Sequence, residues 1–181
     1  MNKLLTTITL LCFSVVGCAT TVQSPQAIFD QMLILQCQLN EFESDLTPNR
    51  SLHNLYIIGL ETSSFLSSTL VPDNYPRSSE VNLEFEDYLS TTLEGLGYVK
   101  ENPDFQSDVS IEDTYISLYL FPGNNRTLMA NINRVTGELS AESGFVGSVK
   151  GDCEILNFAD YRSYYNHRLQ LYRQMLDSRR F

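Results

Sequence analysis

Residues 109–149 carry the densest strand patterning in the chain, and they restrict it to folds built on a sheet. The second half of VSIEDTYISLYLF, residues 109–121, is apolar on both phases, as in a central strand covered on both faces. Glu112-Asp113 interrupts the run and marks a bulge or an edge, and Pro122-Gly123-Asn124-Asn125 then turns the chain. Leu128, Ala130 and Ile132 alternate with polar residues, Thr136-Gly137 turns again, and Leu139, Ala141, Phe145 and Val149 resume the alternation. That is the pattern of a β-hairpin. LYIIGL, residues 55–60, reads as one further buried strand.

Helical periodicity fills the intervals. Ser24-Pro25 is an N-cap followed by a proline at the first helical position, and Ile28, Met32, Leu35, Leu39 and Phe42 then recur at three or four residues, which predicts a helix over 24–45. Val81, Phe85, Tyr88, Leu89, Leu93 and Leu96 form one stripe, predicting a second helix over 79–96 stopped by Gly95 and Gly97. A third, over 157–178, carries Phe158, Tyr161, Tyr165, Leu169, Tyr172 and Leu176. Residues 61–78, rich in Ser, Thr and Pro, read as a long connection. The order α-β-α-β-β-β-α predicts an α+β domain: a mixed four-stranded sheet, strand–helix–strand followed by a meander, packed by an N-terminal, a middle and a C-terminal helix.

The first residues follow a different logic. Lys3 precedes an apolar run of about a dozen residues, the length of a secretory signal core and short of the ~20 a bilayer-spanning helix needs. Val15-Val16-Gly17-Cys18 resembles the bacterial lipobox, with Val16 where Ala or Ser is commoner. The resemblance implies cleavage before Cys18, acylation of its sulfur and new amine, and a stable anchor from several chains. It also implies the outer membrane, because Ala19 stands where an aspartate would favour inner-membrane retention. The expected organisation is a signal peptide over 1–17, a tether over 18–23 and one periplasmic domain over 24–181. The middle of the chain, with LEGLGYVKENPDF and a hairpin around VTGEL, also resembles uncharacterised small α/β periplasmic lipoproteins over roughly residues 54–149, a likeness that implies no particular activity. With Cys12 removed and Cys18 acylated, Cys37 and Cys153 remain as a pair expected to bridge in an oxidising compartment.

Charge narrows the partners. Without residues 1–17 the chain holds 11 Lys and Arg against 22 Asp and Glu, which opposes sequence-independent binding to nucleic acid and docking on anionic lipid. Ten acids and one base, Lys100, fall within 80–113, whereas the last 25 residues carry five arginines against two aspartates. Membrane attachment is thus expected through the lipid on Cys18 alone.

Few motifs carry chemistry. The sequence has two histidines, His53 and His167, and lacks a nucleophile elbow, P-loop, dinucleotide fingerprint, HExxH or EF-hand pattern. The 80–113 carboxylates lack the spaced ligands of a calcium loop, so no metal or cofactor is expected. The C-terminal tyrosines read mainly as a core stripe, with Tyr164 and Arg168 lying off it in the aromatic–arginine composition common at interfaces. The expected function is a non-enzymatic, protein-binding envelope accessory factor. The expected docking residues are Phe65 and Tyr75 in the 61–78 connection and Tyr164 and Arg168 on the last helix. A carrier of a small apolar ligand is the alternative, and a periplasmic hydrolase a more distant one. Cys18→Ala is expected to abolish metabolic acyl labelling and release the protein from the membrane fraction; unchanged retention would refute the lipobox reading.

Overall fold

The computed structural model describes residues 23–42, 52–70, 84–121, 125–143 and 147–178, and among these the chain forms three helices and eight strands. A five-residue helix, α1 (Pro25–Phe29), is capped by Ser24, whose Oγ accepts from the Ala27 amide at 3.2 Å. Three strands follow: β1 (Met32–Phe42), β2 (Leu52–Gly59) and β3 (Ser64–Leu70). Helix α2 (Phe85–Glu101) leads through a single 3₁₀ turn at Pro103–Phe105 to β4 (Ser107–Ile111), β5 (Tyr115–Leu120), β6 (Thr127–Asn133), β7 (Glu138–Ser143) and β8 (Gly147–Ile155). Helix α3 (Phe158–Ser178) closes the chain.

The strands form one sheet in the order β3-β2-β1-β8-β7-β6-β5-β4, every pairing antiparallel, so β1 sits between β2 and β8. Read around the circle this is simply chain order, and the two edges, β3 and β4, meet. The Val109 amide donates to the Ser63 carbonyl at 2.9 Å, and the Phe65 amide donates to Ser107 Oγ at 3.0 Å. These positions step in opposite directions along the two strands, as in an antiparallel pair. A serine hydroxyl stands in for a missing ladder bond, and the result is a nearly closed eight-stranded barrel. Ser63 holds its carbonyl there from a left-handed backbone (φ 50°), a conformation that costs a non-glycine residue on the order of 1 kcal/mol.

Alternate residues fill the barrel. Leu35, Leu39, Tyr56, Ile58, Phe65, Val109, Ile116, Leu118, Ala130, Ile132, Leu139 and Val149 make one buried cluster with Cys37. A second core lies outside the wall, where Met32, Ile34, Leu55 and Ile57 face Ile28 and Phe29 of α1, Leu89 and Leu96 of α2, and Tyr161 of α3. Aromatic rings fasten the helices to one another: Phe29–Phe158 at 5.4 Å, Phe85–Phe158 at 5.6 Å and Tyr88–Tyr165 at 4.8 Å between centroids. Pairs of this kind contribute about 0.5–1.5 kcal/mol beyond the area they bury.

This architecture overturns the mixed four-stranded α+β sheet. The sheet has twice the expected strands and no parallel pair. Residues 32–42, expected in the first helix, are β1; Met32 and Ile34 lie beneath the helices and Leu35, Cys37 and Leu39 inside the barrel, so the switch of apolar face near Ile34 produced a three-and-four spacing although Gln36 and Gln38 face outward. The expected connection over 61–78 contains β3, while residues 71–78 lie outside the described residues. The run 109–121 is two strands turning at Glu112-Asp113-Thr114, and the run 139–149 spans parts of β7 and β8. Helix α2 passes through Gly95 and Gly97 and stops at Asn102, which precedes Pro103 and whose amide reaches the Tyr98 carbonyl at 2.9 Å.

Two glycines are required by close backbone approach. Gly137, at φ 81°, turns β6 into β7 where a Cβ would press on the Cys153 carbonyl at 2.7 Å. A Cβ at Gly151 would collide with the Gln38 carbonyl, where β1 shifts register between Leu39 and Glu41. The disulfide is present, joining Cys37 and Cys153 across 116 residues. It links directly opposed residues of β1 and β8, whereas the sequence placed Cys37 within the expected first helix. On the chain-entropy model such a closure contributes about 4–5 kcal/mol. Replacing both cysteines with alanine should lower the unfolding free energy by about that amount in urea titrations. A loss below about 1 kcal/mol would contradict the assignment.

Candidate functional site

The barrel wall has two unlike outer halves. Where the helices cover β1–β3 the outward residues Met32, Ile34, Leu55, Ile57 and Leu66 are apolar, whereas on β5–β8 most are polar, among them Tyr115, Ser117, Asn131, Asn133, Glu138, Ser140, Lys150 and Asp152, with Leu128 exposed beside them. This apolar-inside, polar-outside arrangement is the reverse of a lipid-facing barrel. Among the described residues no helix is long and apolar enough to cross a membrane.

Several concavities lie among the described residues. One, about 540 Å³, is an open trough across β5–β8 that includes Tyr115, Asn131, Asn133, Glu138, Lys150 and Asp152, and a more apolar one, about 310 Å³, is lined by Phe105, Leu120, Phe121 and Met129. A third, about 430 Å³, runs between α3 and the β1–β8 wall and is lined by Gln36, Glu154, Ile155, Leu156, Asp160, Ser163, Tyr164 and His167. A fourth, about 330 Å³, lies over β2, β1 and β8 around His53, Gln36, Gln38, Asp152 and Glu154. His53 belongs to β2 itself, and its Nδ1 is buried without a hydrogen-bond partner among the described residues. The two histidines therefore face different concavities. Among the described residues no group of three or more His, Cys, Asp or Glu side chains is placed to hold a metal ion.

The expected docking residues separate. Phe65 is 4% exposed and lies inside the barrel, its ring 6.5 Å from Tyr56, so it has no free face to offer a partner. Strand alternation puts it there, since its neighbour Leu66 packs outward against the helix-side core. Tyr75 and Cys18 lie outside the described residues. Tyr164 and Arg168 do come together on α3, with the guanidinium carbon 5.7 Å from the ring centroid. Tyr164 is half-buried against the helix-side core, and its edge lines the α3–β8 groove. That groove also holds Ile155, 69% exposed at the end of β8, which sequence reasoning missed. Ile155 pairs with the inward Leu35 and so shares the face of Cys153, but it stands at the end of β8, where it stays exposed, and nothing in the CEIL stretch alone signalled this.

The acidic stretch resolves into solvated surface. Glu86, Asp87, Glu94 and Glu101 are exposed along α2, and Asp108 meets Arg126 at 2.7 Å, with that guanidinium 3.6 Å above the Tyr119 ring. Compared with protein-family models, curated proteins and solved structures, the chain matches none.

Among the described residues, Asn54 and Tyr56 place polar atoms within the apolar lining of the barrel. Asn54 Nδ2 donates to the Tyr56 hydroxyl oxygen at 3.1 Å. Burial raises the Tyr56 pKa above its ordinary 10.0, and the Asn54 bond lowers it in part. A phenol whose folded pKa is raised contributes stability that is complete below pH 10.0 and is lost as pH climbs toward the folded value. The urea midpoint of the native protein should therefore fall more steeply above pH 10.0 than that of Tyr56→Phe. Parallel pH profiles would contradict the buried placement.

Proposed function

We propose that this protein is an envelope lipoprotein, held at the bacterial outer membrane by acyl chains on Cys18, whose periplasmic domain works by binding another protein and not by catalysis. The anchoring rests on the lipobox resemblance of Val15-Val16-Gly17-Cys18. The binding role rests on where the barrel leaves room for a partner. An eight-stranded barrel either fills its interior with side chains or holds one small ligand. Here the described inward positions are taken by the closely packed cluster from Leu35 to Val149. That supports recognition on the outside and disfavours the carrier reading.

The observation that carries the proposal is the α3–β8 groove. Its lining brings an exposed aliphatic residue, Ile155, together with a half-buried tyrosine, Tyr164, whose ring the guanidinium of Arg168, itself outside the lining, approaches to 5.7 Å. A few aromatic and arginine residues, each worth about 2 kcal/mol or more when truncated, commonly dominate an interface. The acids Glu154 and Asp160 at its rim favour a partner surface bearing lysine or arginine.

The test is site-specific photocrosslinking in cells. A photoreactive residue replacing Ile155 should give one adduct of defined mass, weakened by Arg168→Ala, whereas the same residue replacing Glu94 on the exposed face of α2 should give none. An adduct indifferent to Arg168→Ala, or position 155 behaving like position 94, would defeat the reading.

A further inference from the structure

We propose that the barrel end nearest the tether rests on the surface of a zwitterionic phospholipid bilayer. The inference depends on the proposed acyl anchor at Cys18 and adds to it the orientation of the domain. At this end β2 turns into β3, β4 into β5 and β6 into β7, since neighbouring strands are antiparallel throughout. The three turns make one rim. The bond from the Val109 amide to the Ser63 carbonyl holds the β2–β3 turn against β4. The Arg134 amide donates to the Thr114 carbonyl at 2.8 Å, joining the β6–β7 turn to the β4–β5 turn, and the Arg134 guanidinium donates to the Glu112 carbonyl.

Leu60, Ile111 and Tyr115 stand exposed at these turns, and Val135 is 81% exposed within the β6–β7 turn. Apolar residues exposed singly need no explanation, whereas four on successive turns of one rim mark a contact surface. The chain reaches its anchor from the same rim. Gln31 Nε2 donates to Gln23 Oε1 at 3.2 Å, and the Leu60 amide donates to the Gln31 carbonyl at 3.0 Å. Five peptide units separate Gln23 from Cys18 and can span at most roughly 18 Å. The far end of the seven-residue β6 lies roughly 23 Å further off along the strand.

An anchor at Cys18 therefore brings this rim to the lipid first. The acyl chains supply the attachment, and a tether this short gives the rim a high effective concentration at the surface, so a few weak contacts suffice to orient the barrel. Leucine, isoleucine and valine gain from leaving water, and a tyrosine suits the headgroup level. Glu61, Glu112 and Asp113 share the rim with one cation, Arg134, and this negative edge is repelled by anionic lipid. The surface that fits is zwitterionic.

The test is fluorescence quenching of the full acylated protein, reconstituted in phosphatidylcholine vesicles that carry a spin label near the headgroup. An environment-sensitive fluorescent amino acid replaces either Val135 or Leu128, the latter exposed near the far end of β6. Emission should be blue-shifted and quenched at position 135 and unchanged at position 128. Leu60→Asp combined with Ile111→Asp should abolish the quenching with the melting curve preserved, and admixed phosphatidylglycerol should weaken it. Acyl labelling of the same preparation separates the two readings. Acylated protein unquenched at position 135 overturns the rim contact and leaves the anchor standing, whereas protein without the label overturns both. Equal quenching at the two positions, quenching indifferent to the paired aspartates, or stronger quenching on anionic vesicles would also overturn the proposal. So would a blue shift that grows with the concentration of Cys18→Ala protein without vesicles, which would make a second copy the occupant.

Discussion

The pairing of β1 with β8 is the constraint on which the rest of this fold depends. It joins residues 35–42 to residues 149–155, the most distant segments in the sheet, and every strand between them lies on the circle they close. Bringing such ends together is opposed by loop entropy that grows slowly with length. The return is a β1 that is hydrogen-bonded on both sides, contributing Leu35, Cys37 and Leu39 to the inner core and Met32 and Ile34 to the outer one. The Cys37–Cys153 bond sits at the middle of this pairing and lowers the entropy of the unfolded chain that the pairing must overcome.

The opposite side of the circle is held more lightly. Between β3 and β4 the ladder is reduced to the Ser63 carbonyl and the Ser107 hydroxyl, and α2 covers the seam. Ser64 donates to the Leu96 carbonyl at 2.7 Å, so the helix that links the two strands also clamps them. The three helices gather on this side of the barrel because the wall there is apolar outward. The polar wall of β5–β8 stays uncovered by any described element, and this division leaves both the trough and the α3–β8 groove open to partners.

The same division explains what the sequence made legible. On β6 to β8 solvent faces one side, so Ala130, Ile132, Leu139 and Val149 alternate with polar residues and the strands could be recognised, although Leu128, beyond the β5–β6 register shift, is exposed. On β1 both sides are buried only at its start, at Met32 to Leu35; Leu35, Cys37 and Leu39 then keep a period of two against Gln36 and Gln38, but Ile28 of α1 with Met32, Leu35 and Leu39 imitates a helix. Ser and Thr crowd β3, which hid a strand whose decisive residue, Phe65, faces inward. Helices α2 and α3 were legible because each buries one stripe and exposes the rest. The cysteine pair could be proposed from redox logic alone, but its place between two strands could not. Neither the trough nor Ile155 could be found from single residues, because both arise from strands that are neighbours only in the closed sheet. Tyr164 and Arg168, four apart on one helix, needed no such knowledge.

The central claim is that residues 32–42 are a strand held between β2 and β8. Nuclear Overhauser contacts measured along that segment test it most directly. The account predicts interstrand contacts from Leu35 to both Tyr56 and Ile155, and from Leu39 to both Leu52 and Gly151. Helical contacts three and four residues apart within 32–42, with none reaching 149–155, would contradict it.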